Sequence, residues 1–194
     1  MSNSNSKQQS ISYTADEYLQ LENDAVTKSE FYKGEIFAMA GAGLQHNIIY
    51  NNLFGNLLNV CKGKSCTPFG SDYRLHIPQN SLYTYPNISI YCKQNIDDDT
   101  IGKPTVLIEI LSNSTKHYDI GVKFELYRDI PTLKEYITID SQSVHVTHNF
   151  VNEKKHWEII ELKHKEENLT ITTLQHTLSL QTIYDTAFAV KESD

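Results

Sequence analysis

The sequence predicts a fold that combines α-helices with β-strands, and three observations support this. The chain has 194 residues, of which 39% are hydrophobic and twelve are tyrosine, an ordinary globular composition that includes many strand-forming side chains. Apolar residues recur at helical spacing over residues 44–60. Residues 105–111 are apolar apart from Glu109, as expected of a strand buried on both faces. We therefore expect an α+β (α/β) fold with residues 105–111 near the centre of a sheet.

The length of the chain predicts a single domain over residues 11–194, after a disordered tail at residues 1–10. The tail is polar and lacks the apolar stretch of a signal peptide, so we expect no secretion signal. No apolar run is long enough to span a bilayer. These features predict a cytoplasmic protein without a membrane partner.

The three cysteines, Cys61, Cys66 and Cys92, follow no metal-ligand spacing. Cys61 and Cys66 are close enough in sequence to meet, but small buried apolar side chains are the more common use of such residues. In a reducing cytosol we expect all three to be free thiols.

The formal net charge of −7 argues against a broad basic surface for nucleic acids. A nuclease function would therefore depend on a local basic patch or on metal ions. No glycine-rich nucleotide loop or zinc signature is present. The acidic run Asp97-Asp98-Asp99 lacks the ligand spacing of a calcium loop, and a solvated loop is expected there.

The remaining elements are predicted from capping, turn and alternation signals. Thr14 and Glu17 form a capping box that begins a helix over residues 15–22. Lys33-Gly34 is a turn signal inside a hairpin over residues 29–40. A helix is expected at residues 119–129, where Pro131 prevents continuation. Further strands are expected at residues 65–69, 72–77, 83–91, 135–140, 143–150, 156–162 and 169–172.

Glu109 needs a partner, because an isolated charge on a buried strand is costly. A structural ion pair with Lys123 or Arg74 would satisfy it, and so would a metal ion or a catalytic role. Asp119, Lys123 and Tyr127 are spaced four apart, so they share one face of the predicted helix. The residues alone leave both uses of Glu109 open.

Several motifs, in their order and spacing, resemble those of the Uma-type restriction endonuclease family within the PD-(D/E)XK nuclease superfamily. The motifs are Tyr32-Lys33-Gly34-Glu35-Ile36, residues 41–46, Ser71-Asp72, Tyr85-Pro86-Asn87, Glu109-Ile110-Leu111-Ser112, and Tyr118-Asp119 with Lys123 and Tyr127. The resemblance covers residues 13–162, most of the chain. It implies a restriction-endonuclease-like fold, in which a mixed β-sheet is flanked by helices, with additional antiparallel strands.

The resemblance also implies an activity, the hydrolysis of DNA phosphodiesters with Mg²⁺ or Mn²⁺. A divalent ion polarises the phosphoryl oxygen and lowers the pKa of the attacking water, and a lysine offsets developing negative charge. The superfamily places this lysine two residues after the glutamate, where this chain has Leu111, so Lys123 would replace it. The residues implied are Glu109, Lys123, Asn87, His46 and Glu35 for catalysis and Glu109, Asn87 and Asp72 for the metal.

Asn87 departs from the family pattern, because an aspartate is expected at this position. Its amide oxygen can contact a metal but carries no negative charge, so magnesium affinity should fall. One hypothesis is therefore a weakened or inactive endonuclease, in which Asp72 or Glu35 could compensate. The alternative is a non-catalytic DNA- or protein-binding homodimer with the same fold, associated through its long β region.

Each implied residue also has an ordinary structural interpretation. His46 could cap or flank a helix start, Glu35 could be a solvated strand residue, and Asp72 could stabilise the turn near Gly70. The histidines late in the chain show no ligand spacing with one another, and no role is predicted for them: His145, His148, His156, His164 and His176.

Overall fold

Two sheets and a separate hairpin are built from the described residues of the computed structural model, which are 12–39, 41–92, 102–113 and 116–188. The predicted tail at residues 1–10 and the acidic run at residues 97–99 lie outside these ranges. The strands are β1 (Ser29–Tyr32), β2 (Glu35–Ala38), β3 (Cys66–Gly70), β4 (Leu75–Ile77), β5 (Leu82–Thr84), β6 (Ile88–Cys92), β7 (Val106–Leu111), β8 (Glu135–Asp140), β9 (Val146–Val151), β10 (Trp157–Leu162), β11 (Asn168–Ile171) and β12 (His176–Ser179).

The helices flank these sheets. They are α1 (Ala15–Asp24), α2 (Leu44–Cys61), α3 (Lys116–Tyr118), α4 (Phe124–Tyr127) and α5 (Leu180–Ile183), with a π-helical turn at Asp119–Lys123 and a 3-10 turn at Thr172–Leu174. The capping box predicted at Thr14 and Glu17 is present at the start of α1. Within the described ranges, none of the helices has the length and apolarity needed to cross a membrane.

The larger sheet has six strands in the order β10-β9-β8-β7-β6-β3. Strands β7 and β8 are parallel, and the other neighbouring pairs are antiparallel. All six residues of β7 are buried, which confirms the central strand that the apolar run predicts. The predicted class, a mixed sheet flanked by helices, is therefore confirmed.

Alternation along β7 directs its side chains to two different cores. Ile108 and Ile110 pack with α2 and with the β11–β12 hairpin. Leu107 packs on the opposite face with Tyr127 of α4 and Tyr136 of β8. Glu109 shares the face of Leu107, because residues two apart on a strand point the same way.

The smaller sheet has four strands in the order β2-β1-β5-β4. The sequence predicts one strand over residues 83–91, and this prediction is wrong. Strand β5 belongs to the smaller sheet and β6 to the larger one, with Tyr85-Pro86-Asn87 between them. Pro86 lacks the N–H group that a continuous interior ladder would need.

The prediction of three free thiols is wrong for two of the cysteines. Cys66 and Cys92 form a disulfide, with 4.1 Å between their Cα atoms. The antiparallel pairing of β3 with β6 places the two residues directly opposite each other, a proximity that their separation of 26 residues conceals. Cys61 is free and buried, as predicted.

The hairpin turn offers a test of the fold. Lys33 and Gly34 both have positive φ, at 49° and 89°, and a Cβ at Gly34 would meet the Ser12 hydroxyl at 2.3 Å. We expect Gly34→Ala to lower the free energy of unfolding by about 1–2 kcal/mol, mainly because an L-residue is strained at this φ. Urea unfolding followed by circular dichroism measures the change.

Gly55 in α2 provides the matched control, because a Cβ there meets nothing within 4 Å. Gly55→Ala should raise the free energy of unfolding by about 0.5–1 kcal/mol, since alanine is the better helix former. Equal effects of the two substitutions would contradict a strained turn at Gly34.

Candidate active site

Lys123 lies at the centre of a buried cluster of acids. Its Nζ atom is 2.8 Å from Glu30 Oε1, 3.0 Å from Glu109 Oε1 and 3.5 Å from Asp119 Oδ1. All four side chains are buried, with no more than about a tenth of any of them exposed. One ammonium group therefore balances three carboxyl groups in a region that water hardly reaches.

Three parts of the chain supply these groups. Glu30 comes from β1 of the smaller sheet and Glu109 from β7 of the larger one. The π-helical turn carries Asp119 and Lys123 at its two ends, four residues apart, and places them on the β7 face that bears Glu109. The cluster thus joins the two sheets through one helical turn.

Hydroxyl groups donate hydrogen bonds to the acids of the cluster and to the backbone beside them. The Thr84 hydroxyl donates to Glu30 Oε1 at 2.5 Å, and the Tyr127 hydroxyl donates to Glu109 Oε1 at 2.8 Å. The Tyr136 hydroxyl donates to the backbone oxygen of Asp119 at 2.8 Å. These bonds fix the orientation of the carboxylates, because each donor is itself held on a strand or a helix.

Asn87 is tied into this cluster by both its backbone and its side chain. Its backbone N–H donates to Glu109 Oε2 at 3.1 Å, and its Oδ1 atom accepts from the Ile110 N–H at 2.8 Å. The amide oxygen predicted to face a metal is thus engaged by the backbone of β7. Asn87 also forms a hydrogen bond with His46, whose pKa is lowered chiefly by burial.

The electrostatics of the cluster follow from burial and from its excess of acids. Burial, which outweighs the attraction of Lys123, raises the pKa of Glu109 to about 7, and the neighbouring Asp119 and Glu30 act in the same direction. Burial by itself would lower the pKa of Lys123, but Glu109, Glu30 and Asp119 raise it well above its usual value. Lys123 therefore stays charged at neutral pH, where Glu109 is close to half protonated.

A divalent ion such as Mg²⁺ would need several oxygen ligands that converge on one point. The carboxylates of this cluster are of the right chemical type, but the Lys123 ammonium occupies their common centre. Among the described residues, no group of three or more His, Cys, Asp or Glu side chains is placed to hold a metal ion. The residues do not fit a bound divalent ion while Lys123 holds this position.

The structure brings together four of the residues predicted for the site, namely Glu109, Lys123, Asn87 and His46. Glu35 is exposed on β2. The Asp72 side chain is 99% exposed and pairs with Lys28 at 2.8 Å. Neither acid forms a hydrogen bond or ion pair with Glu109 or Lys123, and the catalytic roles of all six residues stay predictions.

Glu30 is the site residue that the sequence-based reasoning missed. Glu30 and Glu35 lie on the two strands of one hairpin, with Tyr32 opposite Glu35. Strand β1 is interior to the smaller sheet and β2 is its edge, so Glu30 is covered and Glu35 is not. The only signal in the sequence is that Glu30 directly precedes two aromatic residues, Phe31 and Tyr32, and this does not reveal which strand of the hairpin is interior.

The chain is similar to known proteins in both sequence and structure. Residues 15–182 match the family model described as Uma2, putative restriction endonuclease. The uncharacterized protein slr1290 of Synechocystis sp. is 31% identical over 171 residues, covering 87% of this chain and 90% of the relative. The uncharacterized protein sll1609 of the same organism is 36% identical over 153 residues, covering 77% of this chain and 86% of the relative.

A solved structure shows the same fold. It is the crystal structure of a putative nuclease belonging to DUF820 from Anabaena variabilis, with a TM-score of 0.74 and 18% sequence identity. The match covers 90% of this chain and 99% of that chain. At this identity the likeness concerns the fold alone.

The raised pKa of Glu109 predicts a specific pH dependence of stability. The folded pKa of about 7 exceeds the ordinary value of 4.5, so the contribution of Glu109 to stability is complete below pH 4.5 and is lost as the pH rises through 7. We expect wild type to lose a few kcal/mol of unfolding free energy across this range relative to Glu109→Gln, which cannot ionise. Urea unfolding at a series of pH values measures the difference.

The exposed Glu35 supplies the matched control, because Glu35→Gln removes an acid outside the cluster. Its unfolding free energy should follow that of wild type at every pH. If Glu109→Gln also follows wild type, the pKa of Glu109 is not raised by folding.

Proposed function

Because the chain belongs to the Uma2 family of putative restriction endonucleases, we propose that it is a DNA endonuclease whose site for phosphodiester hydrolysis is weakened by Asn87. The observation that carries this proposal is the buried contact of Lys123 with Glu109 at 3.0 Å, next to Asn87. Burying Lys123 and Glu109 with their hydroxyl partners costs desolvation free energy. Such an arrangement is typical of a site with a chemical role.

The residues of the cluster supply distinct parts of the proposed reaction. Lys123 carries a fixed positive charge that can offset negative charge on a phosphoryl group in the transition state. Glu109, with a pKa of about 7, can accept or release a proton near neutral pH. Tyr127 and Thr84 hold Glu109 and Glu30 in place.

Mg²⁺ or Mn²⁺ is the proposed cofactor, and its affinity is expected to be low. An aspartate at position 87 would add a negative charge beside Glu109, and Asn87 adds none. The carboxylates that remain are already satisfied by Lys123, so a metal ion would have to displace an ammonium group that they hold firmly. Because a metal ion would first have to displace Lys123, we expect DNA cleavage by the natural chain to be slow.

Cleavage of supercoiled plasmid with Mg²⁺ or Mn²⁺ tests this proposal. Asn87→Asp should cut at least about tenfold faster than wild type, because it restores a charged metal ligand. The double variant Asn87→Asp/Glu109→Gln should fall to the background rate. Asn87→Asp/Glu35→Gln is the matched control and should keep the rate of Asn87→Asp, because Glu35 is exposed and outside the cluster.

Two other outcomes would change the proposal. Cleavage by wild type that Glu109→Gln abolishes and Asn87→Asp leaves unchanged would mean that the site works fully with an asparagine. Absence of cleavage by every variant would favour the second candidate function, a non-catalytic binding protein. The observation that favours this second function is the Lys123 ammonium at the centre of the acids.

We also propose a homodimer, and β10 is the strand through which it would form. This strand lies at one edge of the larger sheet, with Ile159 63% and Ile160 47% exposed. An exposed apolar edge strand is a template for pairing with another strand. In an antiparallel pair with Ile160 on the two-fold axis, Glu158 of one copy lies opposite Leu162 of the second copy, and no like charges face each other.

Light scattering after gel filtration tests the homodimer. Wild type should have twice the chain mass of 22.2 kDa, and the double variant Ile159→Lys/Ile160→Lys should be a monomer, because buried lysines at the axis would repel. Leu58→Lys is the matched control, since Leu58 is 48% exposed on α2, away from this edge. A wild-type monomer at high concentration would contradict the proposal.

A further inference from the structure

A cavity of about 170 Å³ lies beside the outer strands of the larger sheet. It is partly open to solvent. Its apolar walls are Phe150, Ile160, Leu162 and Leu169, and its polar lining includes His148 and Thr170. The cavity lies on one face of the larger sheet, and the Lys123 cluster lies on the opposite face. This position follows from the alternation of side chains along β8.

The contact between His148 and Glu135 shows on which face of the larger sheet the cavity lies. His148 contacts Glu135 of β8, and Glu135 shares its face with Ile137, which packs in the core formed with α2 and the β11–β12 hairpin. The intervening Tyr136 packs instead in the core of α4 and Leu107, on the face that carries Glu109. The cavity therefore has no contact with the cluster proposed for hydrolysis.

Glu135 and His148 form a buried pair at this cavity. The His148 Nε2 atom is 2.7 Å from Glu135 Oε2, and both side chains are more than nine-tenths buried. Glu135 also accepts from the backbone N–H groups of Thr172 at 3.1 Å and Thr173 at 2.6 Å. The carboxylate thus accepts hydrogen bonds from the imidazole and from the 3-10 turn.

These bonds engage one ring nitrogen of His148. Burial would raise the pKa of Glu135, but hydrogen bonds from His148 and Thr173 outweigh burial and lower it. The ionised carboxylate can only accept, so Nε2 donates to it. The other ring nitrogen, Nδ1, has no hydrogen-bond partner within the described part of the chain.

The pair has a structural use as well, since Glu135 connects β8 to the 3-10 turn after β11. That use needs only the carboxylate, and it explains neither the open volume nor an imidazole nitrogen without a partner. A cavity of about 150 Å³ is known to accept benzene, so the space here suits one six-membered ring. The apolar walls favour a ring, and the imidazole favours a polar group on it that can form a hydrogen bond.

We propose that this cavity is a binding site for a small aromatic molecule that carries a hydroxyl group, with the hydroxyl group hydrogen-bonded to Nδ1 of His148. The ring packs against Phe150, Leu162 and Leu169. The site is independent of the proposed nuclease activity, because it lies on the opposite face of the sheet and uses none of the residues around Lys123.

Fluorine NMR of the full chain with two probes tests the proposal. The probes are para-fluorophenol and fluorobenzene, which have nearly the same size and differ in the hydroxyl group. We expect para-fluorophenol to bind about two- to tenfold more tightly, as one net hydrogen bond predicts. Equal affinities would overturn the role of His148 as the hydrogen-bond partner of the hydroxyl group, and failure of both probes to bind would overturn the site.

A pair of threonine variants provides the matched control. Thr170 and Thr177 lie opposite each other on β11 and β12, and their hydroxyls form one hydrogen bond at 3.0 Å, so replacing either one loses the same bond. Only Thr170 lines the cavity. Thr170→Trp should abolish probe binding and Thr177→Trp should leave it unchanged, while equal behaviour of the two variants would overturn the location.

A third variant isolates the hydrogen bond. His148→Phe keeps a ring at the lining and leaves Glu135 with its two backbone donors, so fluorobenzene should still bind and the preference for para-fluorophenol should disappear. If folded His148→Phe still binds para-fluorophenol more tightly than fluorobenzene, the hydroxyl group of the probe bonds to a group other than His148, and the role of His148 is overturned. If His148→Phe does not fold, the threonine pair still decides whether the cavity binds.

Discussion

The burial of Lys123 among three acids is the interaction on which the rest of this structure depends. Neither sheet could keep its own acid buried alone, because Glu30 on β1 and Glu109 on β7 would each be an uncompensated charge. The lysine satisfies both at once, and it arrives on a π-helical turn that packs on the face of β7. The geometry of the two sheets is therefore fixed by an electrostatic contact as much as by apolar packing.

A divalent ion would have to compete with the Lys123 ammonium group for the position at the centre of these acids. A divalent ion and an ammonium group both stabilise converging carboxylates, and the ion does so with a larger charge but with stricter geometry. Asn87 favours the ammonium, since its amide oxygen accepts from the Ile110 N–H and adds no charge. The balance between the two cations depends on how many carboxylates surround the position, and the amide of Asn87 supplies none.

The sequence predicts much of the fold and part of the site, and the differences have physical causes. The apolar run around Glu109 identifies the central strand, and the spacing of Lys123 brings it to the same face. The choice between Glu30 and Glu35 depends on which hairpin strand is interior, and the Cys66–Cys92 bond depends on the pairing of β3 with β6. Both are properties of the order of strands in a sheet, which local patterns do not encode.

The hydrogen bond from the Ile110 N–H to Asn87 has a consequence for the comparison of relatives. An aspartate has an oxygen at the same place and could accept this bond equally well, so the two residues differ by one terminal group and need no change of backbone. Two relatives could superimpose throughout their length, one hydrolysing its substrate and the other inert. Similarity of shape alone therefore does not reveal whether a relative carries an amide or a carboxylate at this position.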